Sequence, residues 1–379
     1  MQELIPFNNP YLTGQEISNV ASAIARQEFA GDGYYTRCCE HLLQELTGSP
    51  RVLLTPSCTS ALEMCAMLCN VEAGDEVIMS SFNFVSAANA FVLRGAKIVF
   101  VDIRPDTMNI NEDLVEAAIT DKTKVIVAMH YGGVACDVQK LMAIAEPRGI
   151  FVVEDAAHCI GAYDKGQHLG SIGHLGTISF HATKNIHCGE GGALLINQID
   201  WIERAEIIRE KGTNRSTFKK GIVEKYQWVD IGSSFLLNEL SAAFLWGQLA
   251  KVEEVTGKRM AIWEYYFHEL SLLENFQLSA DINNFQHNAH IFFLKLDNVL
   301  VRNTLIEQLE RDGIKAYFHY VPLHSSAAGR RFARFFGTDT FTTSESQRLL
   351  RLPLFYSLTP NQLNQIINSL IESHVAIYS

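Results

Sequence analysis

The sequence holds none of the patterns that bind zinc. Its eight cysteines (Cys38, Cys39, Cys58, Cys65, Cys69, Cys136, Cys159, Cys188) form no CxxC pair, and no cysteine–histidine cluster has finger spacing. A structural metal is therefore not expected. No apolar run is long enough to span a bilayer, and the N-terminal stretch through Pro6 has neither the basic nor the apolar region of a signal peptide. There is no basic block to track a phosphate backbone; the formal net charge is −11, with acids and bases mixed along the chain. A GxxxxGKS loop is missing, as is a GxGxxG after the first strand, which argues against a nucleoside-triphosphatase and a dinucleotide-dependent enzyme. Internal repeats and low-complexity segments are also missing. These absences leave a reduced, cytoplasmic, enzyme-like protein with no nucleic-acid partner and no membrane insertion.

What is present is a globular composition, 47% apolar and 19% charged over 379 residues. That length predicts one large domain and a smaller one, with the division expected between residues 1–250, including an N-terminal helical segment, and 251–379. From Arg51 short apolar runs alternate with helical stretches: Val52 to Leu54 before a helix from Thr59, Glu76 to Met79 before one from Phe84, Lys97 to Val101 before one from Glu112. Val125 to Val127 and Ile150 to Val153 continue the series. Such alternation predicts βαβ units, and so an α/β fold with a mainly parallel sheet flanked by helices. Further on, Ser234 to Leu249 reads as an apolar helix suited to packing on a second subunit, and a long helix from Val252 leads to a C-terminal α+β region. There His290 to Leu296 and Ala316 to Tyr320 read as strands.

Parallel sheets collect ligands at the carboxyl ends of their strands, so the loops there matter most. Ser57, Cys58 and Thr59 follow the first strand and open a helix, which suits a helix cap or a phosphate cradle. Phe84 follows the second strand; its ring suits core packing or stacking on a flat cofactor. Asp155 ends an apolar strand, where an unpaired carboxylate is costly, so it calls for a cation or a strong donor; His158 faces the same region if the turn is helical. Lys184 lies in Ser179-Phe180-His181-Ala182-Thr183-Lys184-Asn185, at a further strand exit, ahead of Gly189-Glu190-Gly191-Gly192. Alone it reads as a surface lysine; beside a phosphate cradle, a ring stacker and an anion it reads as a Schiff-base lysine for pyridoxal 5'-phosphate. Lys211, Asn214 and Arg215 form a small basic patch that suits a substrate phosphate or a solvated loop.

On these residues the chain resembles the sugar-nucleotide aminotransferases of the DegT/DnrJ/EryC1/StrS family, from Ile5-Pro6-Phe7-Asn8 through Leu349-Leu350-Arg351-Leu352-Pro353. The resemblance implies the type I pyridoxal-phosphate aminotransferase fold, with a seven-stranded large-domain sheet and a smaller C-terminal α+β domain. It implies that Lys184 holds the cofactor, Asp155 pairs its ring nitrogen, Phe84 covers a ring face, and His158 lies beside the ring. Ser57, Cys58, Thr59 and Ser179 would bind the phosphate. Relatives carry Asn in a Gly-x-Asn-Tyr segment that reaches the neighbouring subunit's cofactor; here Ser234 stands at that position. Substrate contacts are expected from Lys211, Arg215, Tyr320, His324 and Asn185. The implied reaction moves an amine from L-glutamate to a dTDP-4-keto-6-deoxyhexose in a homodimer with sites at the interface, galacto in product, with the gluco epimer or 3-keto chemistry as alternatives. A catalytically silent sugar-nucleotide-binding regulator is the reading from a different class, and Lys184 argues against the dehydratases that carry histidine there.

Overall fold

A computed structural model describes residues 4–279 and 286–378; the first three residues of the N-terminal stretch read above lie outside them. Strands form where the sequence turns apolar: β1 (Arg51–Thr55), β2 (Glu76–Ser80), β3 (Lys97–Val101), β4 (Thr123–Met129), β5 (Phe151–Asp155), β6 (Leu175–Ser179) and β7 (Gly192–Ile196). The C-terminal region adds β8 (Gln277–Leu278), β9 (Phe293–Lys295), β10 (Ala333–Phe335) and β11 (Leu349–Arg351). The large sheet runs β1-β7-β6-β5-β4-β2-β3-β10. The seven expected strands are all in it; the eighth, β10, returns from the C-terminal region and pairs in parallel with β3, covering an otherwise open edge.

Within this sheet β7 runs against both of its neighbours, β1 and β6, while every other pairing is parallel. The remaining seven strands therefore point one way, and their carboxyl ends share one edge. Gly192, opposite Thr55 at that edge, must be glycine: a Cβ there would stand 2.4 Å from the Cys58 amide nitrogen. This contact lets the turn after β1 close tightly over the start of β7.

The helix expected from Ser234 begins at Glu239 instead and runs to Leu249. Asn238 decides this, because its side chain accepts the Ser241 N–H at 2.9 Å and caps the helix. Ser234 forms a backbone bridge with Glu210. The helix's apolar side is covered by its own chain, since Ala242, Ala243 and Leu245 join one core cluster with Ala23, Cys39 and Leu43. A second subunit is not needed to bury it.

A separate core forms in the C-terminal region around Trp263, Tyr266, Leu294, Leu305 and Ile366, and Ile5 from the N-terminal arm packs into it. The small sheet is antiparallel, in the order β8-β9-β11. Ala316 to Tyr320 is not a strand: only Tyr317 pairs, with Arg351, and beyond it the chain bends so that Tyr320 lines the cavity described below.

Beside the sheet edge, Glu154 is fully buried and fully used. It accepts Nε2–H of His130 at 2.9 Å and the amides of Gly170, Ile172 and Gly173 at 2.9, 2.7 and 2.6 Å. Burial raises its carboxyl, but these donors outweigh that and hold it below the ordinary glutamate range. The resulting stability is present above the unfolded value and is lost as pH falls through the folded one. Glu154→Gln sets an amide N–H₂ against those donors and is expected to cost about 3 kcal/mol or more in urea unfolding at neutral pH. The deficit should shrink toward acid pH; a constant deficit would contradict this account.

Candidate active site

The co-directional strand ends open on a cavity of about 580 Å³, within the range of small-molecule sites. Asp155, at the end of β5, lines it and is almost completely buried. One carboxylate oxygen accepts the Ala157 N–H at 3.1 Å; among the described residues no other hydrogen bond reaches the group. Burial pushes its carboxyl above the ordinary aspartate range, against the pull of the Ala157 amide and the Lys184 charge. An anion so placed needs a cation in the cavity.

Lys184 supplies one from the loop after β6. That loop is closed by backbone bonds: Phe180 N–H to Gly191 O at 2.8 Å, Ala182 N–H to Gly189 O at 2.8 Å and Lys184 N–H to His181 O at 2.9 Å. The side chain is half-buried in the cavity wall, not solvated as a lone loop lysine would be. Burial lowers its amine below the ordinary lysine range, while the Asp155 carboxylate opposes that shift.

After β1, Ser57 performs the structural role weighed for it: its Oγ accepts the Ser60 N–H at 3.0 Å and caps helix Cys58–Leu68. The Cys58 and Thr59 amides, one residue further on, have no acceptor among the described residues and stand at the positive end of an 11-residue helix. The Cys58 thiol is pushed up to about 12, by burial first and by Asp155 second, so it stays protonated. Thr59 Oγ1 donates to Ser86 Oγ at 2.8 Å, and Ser179 Oγ weakly accepts the His181 N–H at 3.4 Å beside the same cavity.

Phe84, at the exit of β2, leaves its ring 54% exposed, although apolar. It lines the cavity 6.2 Å from the Tyr320 ring, an apolar platform rather than a core residue. His158 lines the wall as well: Nδ1 accepts the Gly132 N–H at 3.2 Å and the ring lies 4.3 Å from that of His290. Burial first, then the Lys184 charge, push it well below the ordinary histidine range, so it is neutral.

Five of the expected residues lie off this cavity. Arg215 and Lys211 pair with Glu210 at 2.9 and 3.6 Å; Arg215 lines a separate charged crevice with Glu40 and Arg209. Ser234 is exposed outside the wall. His324 joins Ser81 Oγ through Nδ1 at 2.7 Å and Asp339 through Nε2 at 3.2 Å, a clamp between the exit of β2 and the segment carrying Tyr320. Asn185 is also outside the wall but adjacent to it: its Oδ1 meets His290 Nδ1 at 2.9 Å and its amide donates to Asn288 O at 3.0 Å, which fixes His290. The structure in turn brings in residues the sequence reading missed, namely Arg351, Arg259, His290 and His319. For Arg351 a signal existed, a lone charge inside the apolar run Leu349 to Leu354; the others carry none.

An amine, a buried carboxylate, an apolar platform and two open helix-end amides around one cavity fit the carbonyl, ring nitrogen, ring face and phosphate of pyridoxal 5'-phosphate. A sequence profile of the DegT/DnrJ/EryC1/StrS aminotransferase family matches residues 10–371. The chain belongs to this family. An uncharacterised protein of Methanocaldococcus jannaschii is 30% identical over 376 residues, 97% of each chain. Among solved structures, the aminotransferase TlmJ of Streptoalloteichus hindustanus is 27% identical with a TM-score of 0.91, covering 99% of this chain and 100% of that one. A Streptococcus pneumoniae protein named as a sugar aminotransferase, in its PLP form, is 26% identical with a TM-score of 0.89, covering all of both chains. This chain is thus a pyridoxal-phosphate-dependent aminotransferase of the type I fold. Bound in the cavity, the cofactor supplies an electron sink for the carbon that exchanges its amine.

In the cofactor-free protein, Lys184 is expected to titrate below the ordinary lysine value of about 10.4, and Asp155→Asn to lower it further by removing a favourable anion. NMR of ¹³C-methylated lysines checks both; a Lys184 signal unmoved by Asp155→Asn would contradict the coupling.

Proposed function

We propose that this aminotransferase moves the amine of L-glutamate onto the keto carbon of dTDP-4-keto-6-deoxy-D-glucose. The products are 2-oxoglutarate and dTDP-4-amino-4,6-dideoxy-D-galactose, a precursor for cell-surface polysaccharide such as enterobacterial common antigen or O-antigen. The convergence of Lys184 and Asp155 on one cavity is the observation that carries the transamination. Support for the sugar comes from three segments, Leu53 to Thr59, Ala90 to Lys97 and Arg209 to Ser216, which resemble dTDP-4-amino-4,6-dideoxygalactose transaminase. The likeness to a Streptococcus protein named as a sugar aminotransferase adds to it.

In this reading Lys184 first holds the cofactor. Once free, its Nζ takes the proton from the α-carbon of glutamate and delivers one to C4 of the sugar, always from its own side. Asp155 keeps the ring nitrogen protonated; the Cys58 and Thr59 amides and the Ser179 hydroxyl hold the phosphate; Phe84 supports the ring. His158 stays neutral beside it, and Tyr320 meets the hexose. Asn185 and His324 act indirectly, by fixing His290 and the Tyr320 segment. Lys211, Arg215 and Ser234, away from this chain's own cavity, serve the site of a neighbouring subunit in a cytoplasmic homodimer. Residues 1–250 and 251–379 form the large and small domains.

Incubation with dTDP-4-keto-6-deoxyglucose and L-glutamate, followed by NMR of the product, is expected to give an axial amine at C4. An equatorial amine would mean the gluco epimer, and an amine at C3 the 3-keto alternative; either would replace the galacto assignment. Lys184→Ala is expected to abolish turnover with the thermal melt preserved. Borohydride reduction of the wild-type enzyme should fix the pyridoxyl group on Lys184, and label on any other lysine would overturn its role.

A further inference from the structure

The cavity wall holds three permanent cations, Lys184, Arg259 and Arg351, and two carboxylates, Asp155 and Glu190. The cofactor's ring nitrogen claims Asp155, and the Glu190 side chain is 74% exposed beside His181. Arg259, on the long helix Val252–Leu270, is 5% exposed. Its hydrogen bonds go to backbone alone, with no carboxylate at ion-pair distance among the described residues. Burial pushes its guanidinium below the ordinary arginine range, and no neighbouring charge opposes the shift. Elsewhere the chain pairs such a group: the comparably buried Arg209 has Glu40 at 2.5 Å and Asp32 at 3.5 Å. A buried cation left without an anion is costly, and for Arg259 the cavity is where the anion has to come from.

The hydrogen bonds also show which part of the group is free. Nε donates to Ala289 O and Nη2 to His290 O, each at 3.0 Å. Ala289 holds φ at +50°, a left-handed conformation that is costly for a residue with a Cβ, and the two successive carbonyls at this turn meet one guanidinium. They occupy the side edge of the fork. The end edge, formed by Nη1 and the second N–H of Nη2, has no acceptor among the described residues, and the residue lines the cavity. Such an edge presents parallel N–H groups that match a carboxylate in two-point contact.

We infer that Arg259 receives the side-chain carboxylate of a dicarboxylic amino donor, and so is the residue that selects acidic over neutral amino acids. This rests on the transamination reading above. The other anions of that reaction belong elsewhere. The cofactor's phosphate meets the Cys58 and Thr59 amides. An α-carboxylate is attached to the reacting carbon and must lie beside Lys184, yet Arg259 is not among the leading charges acting on that amine; it acts on His290 instead. The diphosphate of a sugar nucleotide leads on to a nucleoside, which has to leave through the open side of the cavity. Arg259 shares its part of the wall with the buried Ile291, Leu352 and Leu354. A side-chain carboxylate stands further along the donor from the reacting carbon, so it can reach a cation set back from Lys184. With the sugar in place that negative group is gone, and the Ala289 and His290 carbonyls are left to hold the guanidinium.

The test uses holoenzyme and two unreactive probes, glutarate with a carboxylate at each end and butyrate with a single one, with binding followed by calorimetry. Wild-type enzyme is expected to prefer glutarate. Arg259→Gln is expected to weaken glutarate roughly 30-fold or more and to leave butyrate binding and cofactor content as in wild type, so that the preference shrinks. Arg259→Lys, which keeps the charge and loses the fork, should fall between. Equal weakening of both probes, or an unchanged ratio, would overturn the inference, as would a wild-type enzyme that binds the two alike. Should Arg259→Gln not fold, the lysine variant decides alone, because a glutarate-to-butyrate ratio equal to that of wild type refutes the role. Failure of the transamination reading shows separately. Wild-type enzyme whose glutarate preference depends on Arg259, yet whose cofactor colour stays unchanged with L-glutamate, would count against amine transfer and leave Arg259 as a dicarboxylate site.

Discussion

Two consecutive carboxylates at the end of β5 meet opposite fates, and the active site follows from the difference. Successive residues of a strand point to opposite faces. Glu154 points to the side where His130 and three loop amides converge on it, and every lone pair it offers is occupied. Asp155 points to the cavity and, among the described residues, receives a single amide. A carboxylate buried with so little support stays charged only beside a cation, so the chain around it is arranged to supply one. Lys184 arrives from the next strand, and a protonated cofactor nitrogen is the second counter-charge the cavity can take.

The neighbouring features make sense as conditions for that pairing. The reversed strand β7 places Gly192 against the turn after β1, and the absence of a Cβ there brings the start of helix Cys58–Leu68 close to the loop carrying Lys184. Open amides at the helix end then stand near the lysine, so one ligand can span both. The closed loop from Phe180 to Gly191 holds the lysine in the wall at little additional entropic cost, because its backbone is already fixed by hydrogen bonds. Burial, helped by these cations, keeps His158, His290 and His319 uncharged, so the wall's charges are Lys184, Arg259 and Arg351 against Asp155 and Glu190.

Where the sequence reading and the structure part, the cause is local. The helix near Ser234 starts late because Asn238 offers a better cap than the periodicity reveals. Its apolar composition suggested a subunit interface, yet helices far away in sequence cover that side. The Lys211 and Arg215 patch is neutralised by Glu210 and sits beside a different crevice. Ala316 to Tyr320 alternates like a strand, but only Tyr317 finds a partner, so the segment becomes cavity wall instead. In each case particular contacts, some from neighbours and some from distant segments, outweighed the periodic pattern.

The sequence by itself determined the first five strands of the large sheet, the four strand-end loops that carry the site and the residue types needed for pyridoxal phosphate chemistry. Those follow from hydrophobic periodicity and from the cost of placing Asp155 at the end of an apolar run, both of which are local. Only the tertiary structure decided which polar groups remain unsatisfied. It used up the hydroxyl of Ser57 in a helix cap and the carboxylate of Glu210 on a nearby cation, and it left Asp155, the Cys58 and Thr59 amides and Arg351 open to one cavity. Satisfaction of a polar group depends on partners brought from distant parts of the chain, as His130 is to Glu154, and no reading of neighbours along the sequence supplies those.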